Sequence, residues 1–320
     1  MTNFTMPGIA ALRARGWLGS RAEGSIDARR ALQLALAALW LLDAALQFQP
    51  VMFTKWFGQQ LAATATGNPG MIGAPITWDA NLVERHAILL DAVFATAQLL
   101  LAAGIAWRTT LRPALAASVA WSLGVWWFGE GLGGVLTGTA SPVTGAPGAV
   151  LLYALLAILL WPADRGGATP PFTAARAVGA NAARAVWLVL WLSMACLAVV
   201  SAESAPQAVH DTIAGLESGE PGWLGATEGH VSALAASHGL AVAVALATAF
   251  VLIAVGIYLS APGAQAAVLL GITAAAVIWV AGEAFGGILA GGATDPNSGP
   301  LLVLLALAYW PSTPSGITNN

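Results

Sequence analysis

The sequence predicts an all-α integral membrane protein of about eight transmembrane helices, built as two parallel four-helix repeats. Its 320 residues are 58% hydrophobic and only 8% charged, whereas soluble domains carry about 25% charged residues. Most of the surface must therefore face lipid. Apolar runs long enough to cross or nearly cross a bilayer recur along the chain, and two sets of motifs return at matched spacing in its two halves.

Pro- and Gly-rich segments separate the apolar runs, and no alternating strand pattern competes with them. The fourth and eighth runs are short, so they are thin spans or helices that enter a cavity. An even number of spans places both termini on one side of the membrane. The predicted spans lie near 31–48, 86–107, 113–137, 147–161, 184–202, 236–258, 264–290 and 299–311.

The basic residues indicate which side that is. Only Lys55 and Arg85 fall on the side opposite the N-terminus. The positive-inside rule then places both termini in the cytoplasm. Having one Lys among twelve basic residues is typical of a GC-rich bacterial genome, so the membrane is predicted to be a bacterial inner membrane. The outer loop 203–237 has no Lys or Arg, which favours cations near the outer mouth. The arginines on the N-terminal side are Arg13, Arg15, Arg21, Arg29, Arg30, Arg108, Arg112, Arg165, Arg176 and Arg184.

A duplication underlies the two halves. The stretch "GEGLGGVLTGTASPVTGAPG" at 129–148 parallels "GEAFGGILAGGATDPNSGP" at 282–300, with Glu130 and Glu283 each 17 residues before a proline, Pro147 and Pro300. Upstream, "GNPGMIG" and "GEPGWLG" are each followed by a histidine, His86 or His238, at the same distance. Because each unit has four spans, the copies are expected to run parallel, related by an axis along the membrane normal.

This organisation divides the chain into five segments. The predicted bounds are 1–28 for a cytoplasmic N-terminal arm, 29–162 for the first repeat, 163–180 for a cytoplasmic linker, 181–311 for the second repeat and 312–320 for a C-terminal tail.

Several function classes are disfavoured. The net charge of −3 and the lack of a basic stripe argue against nucleic-acid binding. The chain has no phosphate loop, Rossmann glycine pattern, H-E-x-x-H or G-x-S-x-G motif, so neither an ATP-driven pump nor a classical hydrolase is predicted. The single cysteine, Cys196, excludes an intramolecular disulfide and a cysteine-only metal site.

The two glutamates are the main site candidates. On a continuous helix, residues four apart share a face, so Glu130 and Glu283 are expected to point into the bundle with their stripes. A carboxylate at the bilayer centre costs about 2.5–3.5 kcal/mol; each is therefore expected to be protonated, paired or beside water. The stripes are Trp126, Glu130, Gly134 and Gly138, and Trp279, Glu283, Gly287 and Gly291, with the glycines as helix-packing residues.

The histidines are predicted to lie at the same depth. Glu130 follows Arg112 by 18 residues, and His86 precedes Arg108 by 22 residues. At ~1.5 Å per residue, these distances are about 27 and 33 Å, so both side chains lie near the outer edge. Two His–Glu pairs, with His238 and Glu283 as the second, are then expected around an outward-facing centre.

Three interpretations of this centre stay open. In the first, the side chains are hydrogen-bonded to one another or to backbone near the glycines. In the second, they form a protonatable or cation-binding site in a transport path. In the third, His86, His238, Glu130 and Glu283 bind Zn, Cu or Fe, with His210 or His230 as a further ligand. Trp126 and Trp279 are candidates for lining the same cavity.

Two aspartates break the symmetry. Asp43 in the first predicted span and Asp91 in the second have apolar or small residues at the corresponding places of the other repeat. Either aspartate has Arg85 or Lys55 as an expected structural partner. Alternatively, the two make the first half the functional half, and both are candidate substrate- or ion-binding residues.

Each unit also resembles the DoxX/DoxD-type membrane domain. The resemblance rests on "RRALQLALAALWLLDAALQ", the amphipathic "MFTKWFGQQLA" and "LLLAAGIAWRTTLRPALAAS". The GE-x-x-GG repeat lies outside that pattern and resembles bacterial multi-pass membrane proteins that carry the same repeat. The DoxX-like resemblance implies a role in a quinone-linked redox or stress system.

The leading functional prediction is a passive or proton-coupled carrier, or channel-like protein, for a small solute or cation. The alternatives are a redox-complex subunit that contacts a quinone or a metal ion, and a structural or assembly factor. The expected partners are the lipid bilayer and either another membrane-complex subunit or a second copy of the chain.

Overall fold

The computed structural model describes residues 27–165, 170–216 and 219–312. The predicted N-terminal arm up to residue 26, the middle of the linker and the tail from residue 313 lie outside the described residues. Within the described ranges the chain is all-α, and its only β pairing is an isolated bridge between Phe172 and Pro311. The predicted all-α class is confirmed.

The first half contains six α-helices in the described residues. They are α1 (Ala28–Gln47), α2 (Lys55–Thr64), α3 (Gly70–Arg85), α4 (Ala87–Ala106), α5 (Leu111–Phe128) and α6 (Ala149–Leu159). Helix α1 packs along α4, α2 along α3 and α5 along α6.

The second half follows the same order after the short α7 (Ala175–Val178). Its helices are α8 (Ala180–Ser204), α9 (Ala208–Leu216), α10 (Gly222–Gly256), α11 (Ala261–Ala281) and α12 (Ser298–Ala308). Helix α8 packs along α10, as α1 does along α4, and α11 packs along α12, as α5 does along α6. Contacts of α12 with α6 and α1 join the halves.

Among the helices of the described ranges, four are long and apolar enough to cross a membrane: α4, α8, α10 and α11. Helices α1 and α5 occupy the first and third predicted spans. The fourth and eighth predicted spans are α6 and α12, of 11 residues each. At ~1.5 Å per residue such a helix covers about half of a ~30 Å hydrocarbon core.

Matching signals start the corresponding helices. Pro69 and Pro221 directly precede α3 and α10, with φ of −53° and −55°, which suits a position whose N–H would have no helical partner. His86 separates α3 from α4, and His238 interrupts α10 with nearly the same dihedral angles. The two halves therefore bend at corresponding residues.

Aromatic side chains fill the interior between the halves. Trp40 lies 4.2 Å from Tyr153 between ring centroids, and Trp187 lies 4.7 Å from Tyr309. The buried Tyr309 hydroxyl donates to the Ala183 carbonyl at 2.6 Å. Because these rings are fully buried and span both halves, they form part of one continuous core.

Arginines tie one end of the bundle together. Arg30 donates to the last carbonyls of α4, where a helix carries partial negative charge. Arg29 and Arg176 both pair with Asp164 at 3.2 Å, and Arg176 also pairs with Asp27 at 2.9 Å. The Arg29 guanidinium, assisted by Arg176, lowers the pKa of the exposed Asp164 carboxyl. Arg29, Arg30 and Arg176, which the sequence predicts to share one side of the membrane, lie together at this end of the bundle.

The helices of the third and seventh predicted spans, α5 and α11, end earlier than predicted. Helix α5 stops at Phe128 and α11 at Ala281, rather than continuing to 137 and 290. Each is followed by a left-handed turn, residues 131–134 or 284–287, in which four consecutive residues have φ between +48° and +76°. Each left-handed residue other than glycine costs roughly 1–2 kcal/mol, which explains the paired glycines of each GE-x-x-GG motif.

The predicted helix-packing role of the glycines is therefore wrong. Gly134, Gly138, Gly287 and Gly291 all have positive φ and lie outside the α-helices. A Cβ at Gly287 or Gly291 would meet nothing within 4 Å. These glycines let the backbone turn; they do not let two helices approach closely.

Candidate functional site

The tryptophans of the two motifs hold the loops that return the chain into the bundle. Trp126 Nε1 donates to the Pro147 carbonyl at 2.7 Å, and Trp279 Nε1 donates to the Pro296 carbonyl at 2.8 Å. The structural counterpart of Pro147 is therefore Pro296, and the predicted match with Pro300 is wrong because the second loop is shorter. Neither tryptophan lines the main cavity described below, so their predicted lining role is also wrong.

The glutamates bind the N-termini of the helices that follow these loops. Glu130 Oε1 accepts a hydrogen bond from the Val150 N–H of α6 at 3.2 Å. Glu283 accepts one from the Gly299 N–H of α12 at 3.1 Å and another from the Ser298 hydroxyl. The first N–H groups of a helix have no partner within the helix and carry partial positive charge. A carboxylate in this apolar region is stabilised at such a position.

The two glutamates nevertheless differ. Glu283 is only 1% exposed and uses both oxygens in hydrogen bonds. Glu130 Oε2 is buried, has no hydrogen-bond partner, and belongs to a residue that lines a cavity. Both carboxylate oxygens of Glu283 therefore make hydrogen bonds to the next helix, whereas only one oxygen of Glu130 does.

The predicted His–Glu pairs are not formed. His86 and His238 are exposed at the helix breaks, where His238 Nδ1 lies 2.8 Å from the Ser237 hydroxyl. His210 lies 2.6 Å from the hydroxyl of Ser232, and His230 hydrogen-bonds its own helix at the Ala226 carbonyl. Across the described residues, no group of three or more His, Cys, Asp or Glu side chains is placed to hold a metal ion. The predicted metal site is not formed, because His86, His230 and His238 are exposed and the half-buried His210 is held by Ser232.

A cavity of about 460 Å³ is lined mainly by residues of the first half. Four carboxylates line it, from Asp43, Asp79, Glu130 and Asp295, and its lining contains no Lys, Arg or His. Its aromatic side chains are Trp40, Phe57, Trp78, Phe94, Trp121 and Phe128. The arrangement can stabilise positive charge and can bind apolar surface.

One carboxylate of this cavity comes from the second half. Gln49, at the end of α1, binds the loop before α12 by donating to the Ala293 carbonyl at 3.1 Å and accepting from the Gly292 N–H at 3.0 Å. Asp295 in that loop accepts from the Asn297 N–H at 2.7 Å. It lines the same cavity as Asp43 and Glu130, so negative charges on the three side chains would repel one another.

Buried polar atoms without partners cluster around the cavity. They are Asp43 Oδ1, Gln98 Oε1, Glu130 Oε2 and Trp121 Nε1, together with the Tyr153 hydroxyl. Asp43 is only 2% exposed, and the Tyr153 hydroxyl lies beside it outside normal hydrogen-bond geometry. An unsatisfied buried polar group costs about 1–3 kcal/mol, so these groups favour a polar occupant.

Only one of the two aspartates predicted from the sequence lines the cavity. Asp43 lines the cavity, whereas the buried Asp91 lies behind it and accepts from Gln47 Nε2 at 2.6 Å. The predicted structural partners are wrong, because Lys55 and Arg85 lie together at a separate surface pocket. Neither makes an ion pair with Asp43 or Asp91 in the described structure.

The sequence analysis does not predict five polar residues of the cavity: Gln47, Asp79, Gln98, Thr294 and Asp295. Gln47 and Gln98 carried a usable signal, since each interrupts an apolar run. Asp295 carried none, because it stands in "TDPNSGP", a segment typical of an exposed turn. Its role follows only from the way the loop packs on the other half.

The corresponding place in the second half is closed. Aligning "WLLDAALQ" at 40–47 with "WLSMACLA" at 191–198 pairs Asp43 with Met194 and Gln47 with Ala198. The matched helix breaks pair Asp91 with Ala243 and Gln98 with Phe250. A space of about 30 Å³ lies beside Ala198 and Ala243, the counterparts of Gln47 and Asp91, and is about the share of one liquid water molecule.

No protein-family model, curated protein or solved structure matches this chain.

Proposed function

We propose that this chain is a multi-pass inner-membrane carrier that takes up a small cationic solute through the acidic cavity of its first half. The observation that carries the proposal is a cavity lined by four carboxylates and no basic side chain. Water-filled or ligand-filled acidic sites within membrane proteins mark cation paths. The apolar helices of the chain fit a membrane protein.

The proposed architecture has eight membrane-inserted segments in two parallel repeats, with both termini in the cytoplasm. Support comes from the equal order of helices, the matched left-handed turns and the equivalent Trp–carbonyl hydrogen bonds. The short α6 and α12 complete their segments together with the return loops that precede them. The arginine-rich end is then cytoplasmic, and the cavity opens towards the outer side.

The experiment is uptake of rubidium, magnesium and methylammonium ions into proteoliposomes with an imposed membrane potential. We expect at least one cation to enter faster than into protein-free vesicles, and Asp43→Asn to abolish the difference. Ser201→Ala is the matched control, because this buried serine belongs to the second half and bonds only within its own helix. Uptake equal to that of empty vesicles for every cation would reject the proposal.

A quinone-linked redox role, as the DoxX-like resemblance implies, is the second candidate. The observation that favours it is an apolar groove of about 650 Å³ between α4 and α5, lined by Trp107 and Trp121 among small residues. A quinone ring and tail would fit such a surface. Quinone that copurifies with the native protein, and is lost in Gly104→Leu, would favour this role over the carrier.

A further inference from the structure

The aromatic side chains of the acidic cavity form a connected wall. Phe57 and Phe94 meet edge to face at 6.3 Å between centroids, and Phe94 and Trp121 do so at 6.0 Å. Trp40 and Trp78 add two further indoles to the lining. A site for a bare metal ion needs oxygen ligands at fixed positions, whereas aromatic faces attract organic cations and bind their apolar parts.

The size of the cavity supports an organic occupant. Its volume of about 460 Å³ falls in the range of about 300–1,000 Å³ found for small-molecule sites. The same space would hold on the order of 15 water molecules at ~30 Å³ each. A single dehydrated ion would leave most of the aromatic wall without a contact.

The unpartnered acceptors indicate which organic cation fits. Asp43 Oδ1, Gln98 Oε1 and Glu130 Oε2 are buried acceptors without a hydrogen bond of normal geometry; the Tyr153 hydroxyl lies beside Asp43 and the Ala149 N–H beside Glu130. A protonated primary amine presents three N–H donors, whereas a quaternary ammonium presents none. Both charge and donor number therefore match a primary ammonium group.

We infer that the cavity binds a protonated primary amine with an apolar body, its ammonium group at Asp43, Glu130 and Gln98 and its apolar body against the aromatic wall. This inference rests on the proposed carrier function and names its substrate class. The carboxylate of Asp295, supplied by the second half, adds negative charge on the same side of the ligand.

The test uses cyclohexylamine as the probe and follows the intrinsic fluorescence of the purified full chain in detergent, because three tryptophans line the cavity. Trimethylcyclohexylammonium keeps the charge and removes the N–H donors, and cyclohexanol keeps the apolar ring and removes the charge. Asp43→Asn and Gln98→Leu are the test variants, with Ser201→Ala as the control. Thermal unfolding of each variant checks that it is folded.

We expect saturable binding of cyclohexylamine, at least tenfold weaker binding of both analogues, and at least tenfold weaker cyclohexylamine binding to Asp43→Asn. Gln98→Leu should weaken cyclohexylamine and leave the quaternary analogue unchanged, a difference that general unfolding would not produce. Equal binding of the amine and the quaternary analogue would overturn the inference. If magnesium or rubidium binds in an Asp43-dependent way and no amine does, the amine assignment fails while the cation carrier stands. If no cation of either kind binds, both fail.

Discussion

In the first half, Gly129 and Glu130 of the GE-x-x-GG motif line a cavity of about 460 Å³, whereas in the second half Glu283 is enclosed and makes hydrogen bonds with both of its carboxylate oxygens. The turn itself hardly differs: Leu132 and Phe285 have φ of 59° and 55°, and each glutamate binds the next helix. What differs is the set of side chains opposite the turn. The turn and its glutamate therefore have a structural role in both halves. The side chains opposite the turn decide in which half a ligand can bind.

The contrast also separates two roles that a carboxylate can have in the same backbone position. Glu283, enclosed by apolar side chains, is fully occupied as a helix partner. Glu130 binds the next helix with one oxygen, its other oxygen is buried without a hydrogen bond of normal geometry, and the residue lines the acidic cavity. A motif that both halves share therefore does not indicate which half binds a ligand. Polar residues of one half that have no counterpart in the other are a better indication.

The largest expected effects come from exchanging the side chains of Asp43 and its counterpart Met194. Met194→Asp should destabilise the protein by on the order of 3 kcal/mol or more, because the fully buried site offers neither water nor a partner for the charge. Asp43→Met should keep or raise stability, since replacing a buried charge by a fitting apolar group is often neutral or stabilising, and should abolish uptake. Thermal unfolding in detergent and proteoliposome uptake measure the two effects. Equal destabilisation by both changes would show that the halves do not differ in this way.

The two glutamates give the next largest contrast. Glu283→Gln should lower stability by about 1–2 kcal/mol, because an amide cannot accept from both Ser298 and Gly299 as the carboxylate does. Glu130→Gln should cost less stability, since one oxygen of Glu130 makes no hydrogen bond, but should reduce uptake more. The measurement is the ratio of the loss of uptake to the loss of melting temperature for each variant. The opposite order of ratios would contradict the assignment.

The link between the halves can be weakened without touching the cavity lining. Gln49→Leu removes two hydrogen bonds to the loop that carries Asp295. At about 1 kcal/mol each, their loss should weaken cation binding by roughly tenfold and leave most of the stability. Ser201→Ala should change neither quantity. Full binding by Gln49→Leu would mean that Asp295 is positioned by other contacts or is not needed.

The smallest expected effect concerns the arginine-rich end, away from both cavities. Because Arg29 lowers the pKa of Asp164, the ion pairs stabilise the fold above the ordinary aspartate pKa near 4 and are lost as pH falls through the lowered value. Melting temperature should therefore decline slightly below about pH 4, and Asp164→Asn should flatten that decline without altering uptake. The pair is exposed, so the change is small. A large loss of uptake in this variant would contradict its distance from the site.

The sequence identified the membrane class, the helix order and the matched motifs, because these depend on composition and on spacing along the chain. It failed where local backbone overrides the helical pattern: the left-handed turn after Phe128 moves Gly134 off the stripe expected from continuous helical spacing. It also paired the histidines with the glutamates from depth alone, although depth does not fix direction around the bundle. Asp43 was found because it interrupts an apolar run, whereas Asp295 depends on a contact between distant loops.

The most direct test of the difference between the halves is the reactivity of a cysteine placed at 43 or 194. Both substitutions, Asp43→Cys and Met194→Cys, are made in a Cys196→Ser background, because the native cysteine is exposed. A membrane-impermeant cationic thiol reagent is then added to the outer face of spheroplasts. We predict rapid labelling at position 43 and no labelling at position 194. Equal labelling at the two positions, or no labelling at position 43, would show that the first half has no accessible cavity that the second half lacks.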